Sequence, residues 1–176
     1  LALQKNVQTN EAELIIGADI NLAAGDKINI SGATVLRVVG DIENTPTKQK
    51  WKFKKVKLDM IQVAADMEAF SIVGQVVFFE NLDDQSSSGQ LGYGSGFQGS
   101  ASLKLKGLNK DGSGGSGFSA VALFGTATDS ENETFRYFMV DVMGYFSTGI
   151  PLGPIALYGI GGGVYYRMEQ EAVDAN

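Results

Sequence analysis

Histidine and cysteine are both absent from this chain, so the residues left to do chemistry are carboxylates, lysines, tyrosines and glycine-rich turns. Without an imidazole or a thiol, Ser–His–Asp and Cys–His nucleophilic sites cannot be assembled. Histidine-ligated zinc, iron and copper sites and thiolate zinc sites are excluded with them. Carboxylate pairs remain for general acid–base work. Asp66 and Glu68 share a parity along one strand-like run, while Asp59 and Asp141 lie inside apolar runs. A glycosidase-type pair needs two acids roughly 5–10 Å apart across a cleft. An acid in an apolar strand is more often outward-facing or hydrogen-bonded. The expectation is a protein that is not an enzyme and has no catalytic residues. A carboxylate-based hydrolase is the alternative.

Six lysines fall between Lys48 and Lys57, interleaved with Trp51 and Phe53. Three readings apply: lysines guarding a strand edge against aggregation, docking onto an acidic partner, and binding of single-stranded nucleic acid. The rest of the chain carries the opposite balance and the net charge is −6, which argues against nucleic acid. Lys50, Trp51, Lys52, Phe53 and Lys54 are the partner-docking candidates. Asn109, Asp111 and Ser113 resemble the start of a calcium loop, but the closing bidentate acid does not follow. Asp83, Asp84, Asp129, Glu131 and Glu133 would have to supplement it; their plainer role is turn formation. The glycines at 159, 161, 162 and 163 lack the strand–turn–helix setting of a nucleotide loop. No metal and no cofactor are expected.

The elements that must position these groups are strands, because period-two alternation dominates. Leu14, Ile16, Ala18 and Ile20 alternate with Ile15, Gly17, Asp19 and Asn21. Gly25-Asp26 and Ser31-Gly32 read as turns around a short strand, Lys27–Ile30. A second strand covers Thr34–Val39, and Asn44–Thr47, with Pro46, reads as a loop. Val56, Leu58 and Met60 share a face; the pattern then slips to Ile61, Val63 and Ala65, the mark of a β-bulge. Helix competes with strand over Leu58–Met67. Phe70–Phe79 reads as buried on both faces. Phe97–Leu105 reads as a strand with its apolar face buried and its polar face outside. Phe135, Tyr137, Met139, Asp141, Met143 and Tyr145 share a face. Asp111–Ser116 is read as a hairpin loop, Pro154 as the first residue of a short helical turn, and Gly159–Gly163 as a break.

The sum is an all-β, predominantly antiparallel fold of about 8–10 strands, as a sandwich, barrel or extended meander, with at most one short helix near 154–159. The length of 176 residues suits one β-rich domain, with 50–168 as core, 1–49 as an extension and 169–176 as a tail. No run is long and apolar enough for a transmembrane helix. The start at Leu1-Ala2-Leu3 carries neither an initiator Met nor a signal-like region, so the chain reads as a fragment of a longer product.

Three stretches are familiar together: Asp66–Gly74, Gly96–Ser100 and, most specifically, Ala156–Tyr166. Together they resemble a β-rich module of very large bacterial surface or secreted proteins, some linked to secretion or injection machinery. That resemblance covers roughly residues 58–168 and brings no catalytic residues with it. It implies a scaffold, packing or cargo role outside the cytoplasm, extracellular or at the cell surface. The expected function is a non-enzymatic structural or interaction module with protein partners or self-association. An outer-membrane or lipid-binding β-barrel is the second alternative, and only that one calls for a membrane.

Overall fold

The computed structural model describes residues 1–6, 11–23, 28–82, 94–107 and 115–168. Nine strands follow one another: β1 (Ala2–Asn6), β2 (Glu11–Ala23), β3 (Ile28–Thr45), β4 (Lys48–Met67), β5 (Phe70–Leu82), β6 (Gly94–Leu105), β7 (Gly117–Thr128), β8 (Thr134–Leu152) and β9 (Ile155–Tyr166). Each pairs antiparallel with the next, in the order β1 to β9. The all-β expectation holds. Of the three architectures it left open, the fold is the meander, with β1 and β9 as free edges rather than a closed seam. Among the described residues there is no helix.

Turn chemistry sets the hairpins. Pro46-Thr47 joins β3 to β4, and Gly153-Pro154 joins β8 to β9. Gly153 has φ +68, as the first residue of a type II′ turn requires, so Pro154 closes a two-residue hairpin and starts no helical turn. Asp129 behaves as a turn residue. Its Oδ1 accepts from the backbone N–H groups of Glu131 (3.0 Å) and Glu133 (2.8 Å) between β7 and β8.

Pairing overrides local composition in two places. Ser31-Gly32 lies mid-strand in β3, held by Asn21 and Ile20 on one side and Ala64 and Val63 on the other. Gly159–Gly163 does not break the chain either, because β9 stays in register with β8 from Gly159 to Tyr166.

Directly opposed residues in an antiparallel ladder stand on the same face, so the register separates two faces across the whole sheet. On the inner face stand the large buried side chains: Val39, Phe79, Leu123, Tyr137 and Met139. Four of these five, with Ala127, form the hydrophobic core, against which Val121, Phe135 and Met168 pack. The predicted shared face of Phe135 to Tyr145 is this one. Glycine makes the close approach there. Gly96 and Gly125 oppose each other between Phe79 and Tyr137. A Cβ at Gly125 would collide with the Tyr137 ring, which lies over the missing side chain and is only 2% exposed.

Bulges in β4 set the register. Val35 opposes Met60 but Leu36 opposes Leu58, leaving Asp59 as the extra residue. The predicted slip exists but falls one residue earlier, so Met60 is on the inner face and Leu58 on the outer. A second bulge at Lys54 lies between Val39↔Lys55 and Gly40↔Phe53.

Candidate functional site

The outer face is the unusual surface. Three successive rows of opposed residues run from β2 to β9 across it. One is Ala18, Thr34, Ile61, Val76, Gly99, Ala122, Val140 and Val164; the next is Ile20, Gly32, Val63, Gly74, Ala101, Ala120, Val142 and Gly162. The third is Leu22, Ile30, Ala65, Ile72, Leu103, Phe118, Gly144 and Ile160. No position in them is charged. Thr34 is the one polar residue, and its hydroxyl donates to the Met60 carbonyl at 3.0 Å.

Aromatic rings bound these rows. Phe78, Phe97, Phe124, Phe138 and Tyr166 form a ladder over β5–β9, with successive centroids 6.2, 5.1, 5.9 and 5.5 Å apart. Immediately beyond it, on the same face, come Ser95, Thr126 and Arg136. At the other end Phe70 opposes Leu105, and the alternation of β8 and β9 places Phe146 and Tyr158 at that level.

Among the described residues nothing covers this face. Val142 is 48% exposed and Val164 62%, and Ile72, Phe78, Phe97 and Phe124 are all exposed. This corrects two expectations. Phe70–Phe79 is not buried on both faces. Phe97–Leu105 keeps its alternation with inside and outside exchanged: Phe97 and Leu105 face outward, and Gln98, Ser100, Ser102 and Lys104 share the inner face with Leu123. Exposed apolar patches beyond a few hundred Å² are rare in soluble monomers and mark interaction surfaces.

The ion pairs gather on the inner face. Arg37 donates to Glu13 at 2.8 Å and to Asp59 at 2.7 and 3.0 Å; the bulge is what turns Asp59 toward it. Lys57 and Lys55 meet Glu80 at 2.5 and 3.5 Å, and Lys106 meets Asp66 at 2.7 Å. The Lys57 ammonium beside Glu80, which lies beyond the aromatic ladder, holds that carboxyl below the usual glutamate range. Where β4 and β5 diverge past Met60↔Val77, a cleft of about 810 Å³ opens beside Arg37, Lys55, Lys57, Asp59 and Glu80.

The docking candidates divide between the faces. Lys50 and Lys52 oppose Glu43 and Asp41 on the inner face, and Lys52 and Lys54 pair with acids of β2 and β3: Glu43 at 3.8 Å, Glu11 at 2.5 Å and Asp41 at 3.8 Å. Trp51 and Phe53 stand on the outer face, edge to face at 6.3 Å. β4 lies inside the sheet, but its ladder to β5 covers only Met60–Asp66. The carboxylate candidates are not gathered. Asp59 binds Arg37, Asp66 binds Lys106, and Asp141 accepts the Tyr165 hydroxyl at 2.6 Å. Glu68 lies in the bend between β4 and β5 rather than beside Asp66 on the strand. Asn109, Asp111, Ser113, Asp83 and Asp84 lie outside the described residues, as does the Gly25-Asp26 turn. Among the described residues no cluster of acids could hold a metal ion.

Sequence reasoning found the alternation in most strands and missed that their apolar parities coincide on one face. Only the register reveals that coincidence. A scan against protein-family models, a search of curated proteins and a search of solved structures each returned no match for this chain.

Proposed function

We propose that this chain is a non-enzymatic structural or interaction module of a larger secreted or cell-surface bacterial protein, and that it works through its outer sheet face. The observation that carries this reading is the set of three uncharged rows spanning β2 to β9, with no cover among the described residues. Burial of apolar area at about 25 cal/mol per Å² makes covering such a face strongly favourable. The resemblance of Ala156–Tyr166 to surface and secreted proteins supports the location.

Because the chain has no cysteine, single thiols test the reading directly. In the full-length product in its own cell envelope, Val142→Cys and Ile160→Cys should react with a maleimide about tenfold or more slowly than Glu131→Cys at the exposed β7–β8 turn. Equal rates at all three positions would refute it.

A further inference from the structure

Building on that reading, we infer that the occupant of the outer face is the hydrocarbon of a lipid bilayer, with the nine strands forming part of the wall of a membrane-spanning barrel. The layering along β5 and β6 carries the inference. From Phe70 to Phe78, and from Phe97 to Leu105, the outer face presents nine residues' length of uncharged positions. A tilted transmembrane strand needs about 9–11. On β5 aromatic side chains stand at both ends of this stretch, with aliphatic and small residues between. The charged Arg136 and the hydroxyls of Ser95 and Thr126 begin directly outside the ladder. Membrane barrels show this order: an apolar band, aromatic girdles at both interfaces, then polar residues.

The opposite face fits the same placement. Several of its charges are paired across strands, and its small and polar residues (Gln98, Ser100, Ser102, Gly161, Gly163) suit a lumen rather than lipid. A second protein sheet would also cover apolar residues, but it would not require a continuous row of rings across β5–β9 with charge and hydroxyls just beyond it. Within the band the free edges are β2, which β1 covers only from Glu11 to Ile15, and β9, and both need partners inside hydrocarbon. Further strands of the wall supply them, and in an assay of this chain alone neighbouring copies do.

The test refolds the full chain from urea with unilamellar vesicles of dimyristoylphosphatidylcholine in 1 M NaCl, where surface electrostatics are screened. The chain should float with the vesicles. Val142→Lys, at the centre of the band, should lower the floated fraction about thirtyfold or more. Ser102→Lys, at the same depth on the inner face, should leave it within about twofold.

Since Val142→Lys could fail by misfolding, a second measurement uses no charge. In a Trp51→Phe background, Val142→Trp should be quenched by phosphatidylcholine brominated on its acyl chains, whereas Ser102→Trp should not. Equal quenching at both positions, or a chain that stays in the lipid-free fraction, overturns the inference. A lipid-free dimer that Val142→Lys dissociates would overturn the lipid inference and leave the outer face as the working surface. A lipid-free monomer indifferent to Val142→Lys would remove both.

Discussion

The strands β2–β4 and the strands β6–β9 present similar outer faces and very different inner ones. In β2–β4 the inner face is held by ion pairs that cross strands, centred on Glu13, Arg37 and Asp59, with Lys54 reaching Glu11 and Asp41. In β6–β9 it is held by packing: Leu123, Tyr137 and Met139 bury themselves with Phe79 from β5. The two regions meet at the short β4–β5 ladder. Each half thus has its own means of fixing register, while the uncharged outer rows pass through both without interruption. Stability is solved locally on one face, and what the halves share is the exposed apolar surface.

The largest effect should come from emptying the packed half. Leu123 is fully buried, and Leu123→Ala should cost about 2–4 kcal/mol in urea unfolding of the full chain. Amide exchange should report the loss first in β6–β8 and only weakly in β2 and β3. Equal loss of protection in both halves would show that the sheet unfolds as one unit and that the distinction between halves is only descriptive.

A somewhat smaller effect is expected from filling the space that glycine leaves. Gly125→Val puts branched carbon where the Tyr137 ring lies, and overpacking of this kind costs about 1–3 kcal/mol. Adding Tyr137→Ala should recover part of the loss if ring displacement is the cause. No recovery would place the cost in the backbone.

These two sites show what was legible in the sequence. Ten of the 29 residues from Gly89 to Gly117 are glycine, and the alternation inside the stretch marks a strand only from Phe97. Gly96 instead pairs with Gly125 inside the sheet, where glycine makes room for rings on neighbouring strands. That role depends on partners far along the chain, so no local window contains it. The alternations of β2, β6 and β8 were plain because each strand carries its own pattern. Ser31-Gly32 and Gly159–Gly163 misread as interruptions because local turn preference is worth less than strand pairing, on both sides of Ser31-Gly32 and on one side of Gly159–Gly163. The β4 slip was visible but misplaced by one residue, since Met60 is apolar and suits either face.

The ion-paired half should respond to Arg37. Arg37→Met leaves the Glu13 and Asp59 carboxylates, each partly shielded from water, without their shared cation. The expected cost is about 1–2 kcal/mol, with exchange protection lost in β2–β4. Lys52→Met is the control. Its pair with Glu43 is long and solvent-exposed on both sides, so its loss should stay within about 0.5 kcal/mol. Comparable losses at the two sites would mean that net charge, and not the Arg37 geometry, holds this half together.

The smallest expected effect lies at the junction between the halves, where Lys57 and Lys55 of β4 hold Glu80 of β5. The Lys57 ammonium lowers the folded carboxyl's pKa relative to the unfolded chain. The contribution to stability is therefore complete above the ordinary glutamate range and disappears as pH falls through the folded value. Glu80 is substantially solvent-exposed, so screening keeps the contribution small. Measured from neutral pH downward, the wild-type chain should lose slightly more stability than Glu80→Gln below the glutamate range, and the two curves should run parallel above it. Lys57→Met should remove most of that difference, because Lys55 stands at the longer distance. If Glu80→Gln leaves the acid limb unchanged, the two halves are joined by the Met60–Asp66 ladder alone, and the lysines of β4 serve their own half.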